Sequence, residues 1–181
     1  MKVFVITGSP HKNGTSARLA EKFIQGATEA GHTVVRFDAG QKQIHPCIAC
    51  ETCHNTSKGC VFNDGMEEEV NRHLVTADVV AFVSPVYYYM LTSQIAAVIS
   101  RFYENDAGLH MTHRKVRAVM LLTMADDTEE SALGALQTFK GITNYLGWQI
   151  AGTVVGLNCE TVEELQETDY QEQAYNLGKS L

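Results

Sequence analysis

The sequence predicts an open, doubly wound α/β domain built on a parallel sheet. Strand-like and helix-like segments alternate from end to end of the 181 residues, giving five strands separated by helices. The first strand, Val3 to Ile6, is a nearly continuous apolar run, as expected of a parallel strand covered on both faces. Polar, glycine-bearing connections follow the early strands and run straight into helix-capping residues.

The elements follow in order along the chain. Leu19, Ala20, Phe23, Ile24 and Ala27 recur at helical spacing, so a helix is expected over 15–30, opened by Thr15 or Ser16 as cap and ended by Gly31. Thr33 to Phe37 is the second strand. Residues 38–63 are long and irregular and contain four Cys and two His; a loop of that length inside a compact domain usually has a function or is disordered. Asp64 then reads as a helix cap, with Glu67 completing a capping box. Val79 to Val83 is the third strand. It is followed by Pro85 and an aromatic stretch, and then by a helix that Thr92 or Ser93 opens. Lys115 to Thr123 is the fourth strand, and a helix runs from about 129 to 146, with Asp126 and Asp127 read as its caps. Gln149 to Val155 is the fifth strand, and one last helix is expected from Thr161 or Val162 to Lys179. The whole of 1–181 is read as a single domain, with no repeat or linker, and with the cysteine loop at about 38–63.

Bulk properties narrow the function. Hydrophobic residues make up 45% and charged residues 19%, the composition of an ordinary globular chain. The formal net charge of −7, without any Lys/Arg cluster, argues against a nucleic-acid or membrane partner. No stretch is long and apolar enough to span a bilayer, and the N-terminus enters a strand at once with no leader-like pattern, so a cytoplasmic location is expected. In such a reducing setting the five cysteines are read as thiols or metal ligands and not as a disulfide framework.

Sites in doubly wound sheets lie beyond the carboxyl ends of the strands. The connections 8–16, 84–91 and 123–128 therefore matter most, together with the cysteine loop. In the first, Ser9, Thr15 and Ser16 supply hydroxyls, Asn13 an amide, and Gly8 and Gly14 room for tight turns, all before a helix N-terminus. That combination suits a phosphate. It is neither a Walker A loop nor a Gly-x-Gly-x-x-Gly turn. The bland alternative is a polar turn with one capping hydroxyl. In the cysteine loop, Cys47-x-x-Cys50-x-x-Cys53 can converge on one centre that Cys60 would close. Unligated or redox-active thiols and a four-sulfur zinc site remain open beside an iron–sulfur cluster. His45 and His54 read as surface or hydrogen-bonding residues, and Cys159 as an isolated thiol.

The first loop resembles the Ser-Pro-Arg-x-x-Gly-Asn/Ser-Thr/Ser loop of the NADPH-dependent FMN reductase and iron–sulfur flavoprotein group. Ser9-Pro10 and Gly14 match it, Thr15 and Ser16 fill its closing polar positions, and His11 stands where Arg is usual. Ser84-Pro85-Val86-Tyr87 resembles the loop that embraces the flavin in the same group, and Cys47 to Cys60 resembles its compact cysteine motif. The resemblance implies a flavodoxin-like three-layer sandwich with strand order 2-1-3-4-5. It implies FMN held by Ser9, His11, Asn13, Gly14, Thr15 and Ser16 at the phosphate, with Pro85, Val86, Tyr87, Tyr88, Tyr89, Met90, Thr123 and Met124 around the ring. NAD(P)H would be the co-substrate, and a flavin, quinone, azo or nitro compound, or iron the acceptor. It also implies a homodimer or homotetramer. If Cys47, Cys50, Cys53 and Cys60 hold a [4Fe–4S] cluster, a ferredoxin-like partner is implied. A flavodoxin-type carrier is the alternative to an enzyme. A receiver-type signalling domain is disfavoured because the first loop lacks paired acids. No catalytic acid or base is required, since the cofactor carries the redox chemistry. The segment 104–114, with His110 and His113, is read as a rim of the acceptor pocket.

Overall fold

The computed structural model describes residues 1–56, 58–106, 109 and 115–181. His110 and His113 lie outside them. The strands β1 (Lys2–Thr7), β2 (Thr33–Asp38), β3 (Val79–Pro85), β4 (Arg117–Thr123) and β5 (Gln149–Gly156) form one sheet in the order β2-β1-β3-β4-β5. Every neighbouring pair is parallel, as the resemblance implies.

Alternation along the strands sorts the core into two halves. Val3, Val5, Ala81, Val83, Val119 and Leu121 face the layer of α1 (Thr15–Glu29), with its buried Leu19 and Phe23. Phe4, Ile6, Phe82, Met120 and Leu122 face the other layer, where Met66, Val70, Ile95, Phe102 and Phe139 pack. In the first layer α1 lies against the C-terminal helix, with Gly26 and Gly178 at the crossing. A Cβ on Gly178 would run into the Phe23 carbonyl oxygen, and one on Gly26 into that of Tyr175.

Several local expectations change. Gly14, not Thr15 or Ser16, is the N-cap of α1, and no side chain caps it; the Thr15 hydroxyl instead donates to Thr123 Oγ1 (2.9 Å). The loop after β2 holds a 3-10 turn, Ala39–Gln41, and a one-turn helix, α2 (Thr52–Asn55). The capping box of Asp64 and Glu67 does not form. Glu67 accepts from Asn71 Nδ2 (2.8 Å); Asp64 accepts the Met66 N–H (3.3 Å) but is also engaged by Arg101 (3.1 Å), and the helix starts as a π-turn, Glu67–Asn71, before α3 (Arg72–Leu74). Thr92 does cap α4 (Ser93–Ser100), which runs into a 3-10 helix, Arg101–Asn105. Thr128, not the neighbouring acids, caps the 3-10 turn Glu129–Ala132 ahead of α5 (Leu133–Leu146). The Asp126 carboxylate takes the Ser131 hydroxyl instead. The last helix is two: α6 (Val162–Gln166), opened by a Thr161–Glu164 capping box, and α7 (Tyr170–Lys179). Thr168 lies in the break and turns its hydroxyl back to the Leu165 carbonyl (2.8 Å).

Candidate functional site

In this strand order the chain leaves β1 in opposite directions toward β2 and β3, which opens a crevice at the carboxyl ends of β1 and β3. A cleft of about 1390 Å³, solvent mouth included, lies there. Ser9, His11, Asn13, Gly14, Thr15, Ser16, Pro85, Val86, Tyr87, Thr123 and Met124 all line it, joined by Lys12, Ala125, Cys159 and Glu160. The sheet brings together three connections that span more than a hundred residues of chain.

The N-terminal end of α1 is left open toward this cleft. The helix has neither a capping side chain nor an acidic residue in its first turn, so its first N–H groups and the positive end of its dipole are available to an outside anion. Ser9 does not cap the helix; its Oγ accepts from the His11 N–H (3.1 Å) and shapes the loop. Gln41 reaches over from the loop after β2 and donates to the Pro10 carbonyl (2.9 Å). Beside it Gly40 is packed so closely that a Cβ there would meet the Ser9 carbonyl. No sequence pattern marks Gln41 or Gly40, because their contact with the loop spans about thirty residues of chain.

Tyr88, Tyr89 and Met90 are not among the residues lining the cleft. Tyr87 and Met90 exchange backbone hydrogen bonds (3.0 Å each way), which closes a two-residue hairpin turn. Tyr88 and Tyr89 occupy its tip with φ of 48° and 66°, values usual for glycine or asparagine. The turn lifts them outward, leaving Tyr88 93% exposed. Val86 is fixed instead by its N–H, which donates to the Thr123 carbonyl (2.9 Å). Cys159 takes part in the cleft wall although it stands alone in the sequence. Its N–H donates to the Met124 carbonyl (2.7 Å), its thiol faces the Leu157 carbonyl (3.1 Å), and burial pushes the thiol pKa up, with Glu164 adding to the shift.

A second pocket gathers all four loop cysteines. Cys47, Cys50, Cys53 and Cys60 line it with Phe62, Arg101, Tyr103 and Glu104. Ala49 and Glu51 adopt left-handed backbone (φ 52° and 57°), which curls the Cys-x-x-Cys turns, and the Ala49 N–H points at Cys47 Sγ (3.4 Å). The Thr52 hydroxyl and N–H hold the Cys50 thiol below its ordinary value, whereas burial and then the Glu104 carboxylate push Cys53 up. Among the described residues no three His, Cys, Asp or Glu side chains form a group able to hold a metal ion. His45 stacks on Phe62 (4.6 Å) and lies against Asp64, and His54 packs on Tyr103 (4.4 Å). Both act as hydrogen-bonding surface residues.

Residues 1–160 match the family of NADPH-dependent FMN reductases. The chain belongs to that family. Within it, the chain is similar to an iron–sulfur flavoprotein of Methanocaldococcus jannaschii, 36% identical over 103 residues, which are 56% of this chain and 50% of that protein. The chain thus spans about half the length of that relative. Solved structures share the fold. An NAD(P)H:quinone oxidoreductase from Methanothermobacter marburgensis superposes with TM-score 0.71 at 19% identity, over 99% of this chain and 95% of that one. An FMN-dependent NADH-azoreductase from Bacillus anthracis, solved in complex with FMN, superposes with TM-score 0.70 at 10% identity, over 99% of each chain.

Proposed function

We propose that this member of the family is an FMN-dependent NAD(P)H oxidoreductase that delivers electrons to a small acceptor of the flavin, quinone, azo, nitro or iron class. The observation that carries the reading is the uncapped N-terminus of α1 at the edge of a cleft whose other wall is Pro85, Val86, Tyr87 and Met124. An anion is favoured at one end and a flat apolar body at the other, and FMN has both.

When bound, FMN supplies the hydride acceptor and the two-electron store. The chain's own residues do the rest. Backbone N–H groups at Thr15 and Ser16 and the Ser9 hydroxyl bind the phosphate, since the Gly14 N–H is given to the His11 carbonyl and the Thr15 hydroxyl to Thr123; Asn13 adds an amide, and Lys12 supplies a positive charge that partly replaces the Arg usual at His11. Thr15 and Thr123 are tied to each other, which joins the phosphate end of the cleft to the β4 end. Pro85, Val86 and Tyr87 present backbone edge and apolar surface to the ring, and buried Met124 excludes water beneath it. The outward Tyr88, Tyr89 and Met90 leave the cleft mouth and offer an apolar tip to a second copy in a homodimer or homotetramer. No helix among the described residues is long and apolar enough to cross a membrane.

The cysteine pocket favours a second reading, an iron–sulfur flavoprotein that exchanges electrons with a ferredoxin-like partner. A cubane takes one thiolate at each of four irons, and four cysteines line this one pocket. Arg101 also lines the pocket, and its buried Nε–H has no hydrogen-bond partner among the described residues; a cationic donor of this kind suits an anionic sulfur cluster. The donor set therefore fits the group, with Cys47, Cys50, Cys53 and Cys60 as ligands supplying one-electron chemistry.

The test is an absorption spectrum of protein purified without oxygen, with iron and acid-labile sulfide analysis and NAD(P)H oxidation in the presence of FMN. Flavin bands with NAD(P)H turnover and no iron support the reductase alone. About four iron and four sulfide per chain add the second reading. Flavin binding without NAD(P)H oxidation would make the protein a carrier, and the absence of flavin binding would overturn the proposal.

A further inference from the structure

The wall of the cysteine pocket contains a buried carboxylate that belongs to no ligand set. Glu104 sits on the 3-10 helix Arg101–Asn105, its side chain only 9% exposed. Its Oε1 accepts the backbone N–H of Cys60 (2.9 Å). Its Oε2 accepts from Asn71 Nδ2 (3.1 Å) and faces Arg101 Nη2 (3.5 Å). Arg101, 2% exposed, extends the same network to both ends of the loop, where Nη1 meets Asp64 just after Cys60 (3.1 Å) and the His45 carbonyl just before Cys47 (3.3 Å). The start of the cysteine loop is thus tied through Arg101, and its last cysteine directly by Glu104.

The four cysteines need this help unequally. Cys47, Cys50 and Cys53 lie on one short stretch whose left-handed turns at Ala49 and Glu51 place them relative to one another. Cys60 comes seven residues after Cys53, directly after Gly59 at φ 72°, and no helix or strand carries it. A loop so loosely determined presents its last side chain in many positions unless something outside it fixes the backbone. The Glu104 carboxylate is the contact that does so, and burial in a charged network makes that contact short-ranged and directional.

We infer that Glu104 is the positioning residue for Cys60, and that its reach to the Cys60 N–H decides whether the loop offers four thiolates or three. The inference rests on the iron–sulfur reading of the pocket. Shortening or deleting the side chain releases the fourth corner and leaves the other three in place. The amide oxygen of Gln still accepts the same N–H and keeps the corner, at the loss of the Asn71 and Arg101 contacts that Oε2 makes.

The experiment compares wild type with E104Q, E104D and E104A, all purified without oxygen. Wild type and E104Q should contain about four iron and four sulfide, and E104D and E104A about three iron, with the electron paramagnetic resonance signal of a three-iron cluster. E104Q removes a negative charge beside the cluster, so its midpoint potential should rise, a change that a merely structural contact would not produce. A second readout needs no cluster. After iron is chelated, alkylation mapped by mass spectrometry should be slow at Cys60 in wild type and E104Q and at least about tenfold faster in E104D and E104A. Exposed Cys50 should react alike in all four. If wild type holds no iron, the iron–sulfur reading fails and the alkylation pattern alone judges the positioning. Should E104A fail to fold, E104D carries the test. Four irons and unchanged Cys60 alkylation in E104D would overturn the inference.

Discussion

The cleft above β1 and β3 is walled by backbone that the sheet holds in place, whereas the cysteine pocket is walled by side chains that a buried charge network ties together. In the cleft, each connection leaves a strand fixed by its neighbours, and only short-range bonds, such as Thr15 to Thr123 and Val86 to Thr123, finish the shape. In the pocket, an irregular segment lies against α4 and the following 3-10 helix, and Arg101, Glu104 and Asp64 do what strands do elsewhere. The cleft should therefore respond to perturbation as part of the sheet, and the pocket as a separable unit.

The largest effect that tests this contrast is expected from Arg101→Met. It leaves Asp64 and Glu104 buried without their counter-charge and should destabilise the chain by about 3–5 kcal/mol in urea unfolding. Protease should cut first within residues 42–64, while FMN affinity in the folded fraction shifts by less than about threefold. Equal loss at both sites would show that the two regions are one cooperative unit. The cleft has its own sensitive point. Gly40→Ala drives a Cβ into the Ser9 carbonyl and should cost about 2 kcal/mol by overpacking, weakening FMN binding measured by fluorescence quenching while Cys60 alkylation is unchanged.

Acid should separate the two regions as well. Burial alone would raise the Asp64 pKa, but the His45 N–H, the Arg101 guanidinium and the Met66 N–H outweigh it and hold the carboxyl below its ordinary value. A carboxyl with a lowered folded pKa adds stability at pH above its unfolded value, and that contribution is lost as pH falls through the folded value. Pepsin should therefore cut the cysteine loop before the sheet as pH falls below about 4; simultaneous cutting would refute the separation. A smaller effect is expected from Thr123→Val, which strands the buried Thr15 hydroxyl, costs about 1 kcal/mol, and weakens FMN binding without touching the pocket. The smallest lies outside both regions. Tyr88→Asn relieves a left-handed tyrosine and should raise stability by no more than about 1 kcal/mol, with FMN affinity unchanged. A loss of FMN binding would put Tyr88 back among the flavin contacts.

The sequence makes legible the five strands, the parallel sheet, the phosphate-suited loop and the grouping of four cysteines. These are local or periodic properties: apolar runs mark strands, spacing of Leu19 to Ala27 marks a helix, and glycine with hydroxyls marks a tight polar turn. It does not foresee that the side chains of Thr15, Asp64 and Asp126 take partners beyond their own turns, Thr123, Arg101 and Ser131 respectively. It also joined two terminal helices that Thr168 separates. Long-range packing turns Tyr88 and Tyr89 away from the cleft, brings Gln41 and Cys159 into its surroundings, and sets Arg101 and Glu104 against the cysteine loop. A hairpin's direction and a buried ion network depend on which distant segments the sheet brings within a few ångströms, and no pattern of neighbouring residues encodes that distance.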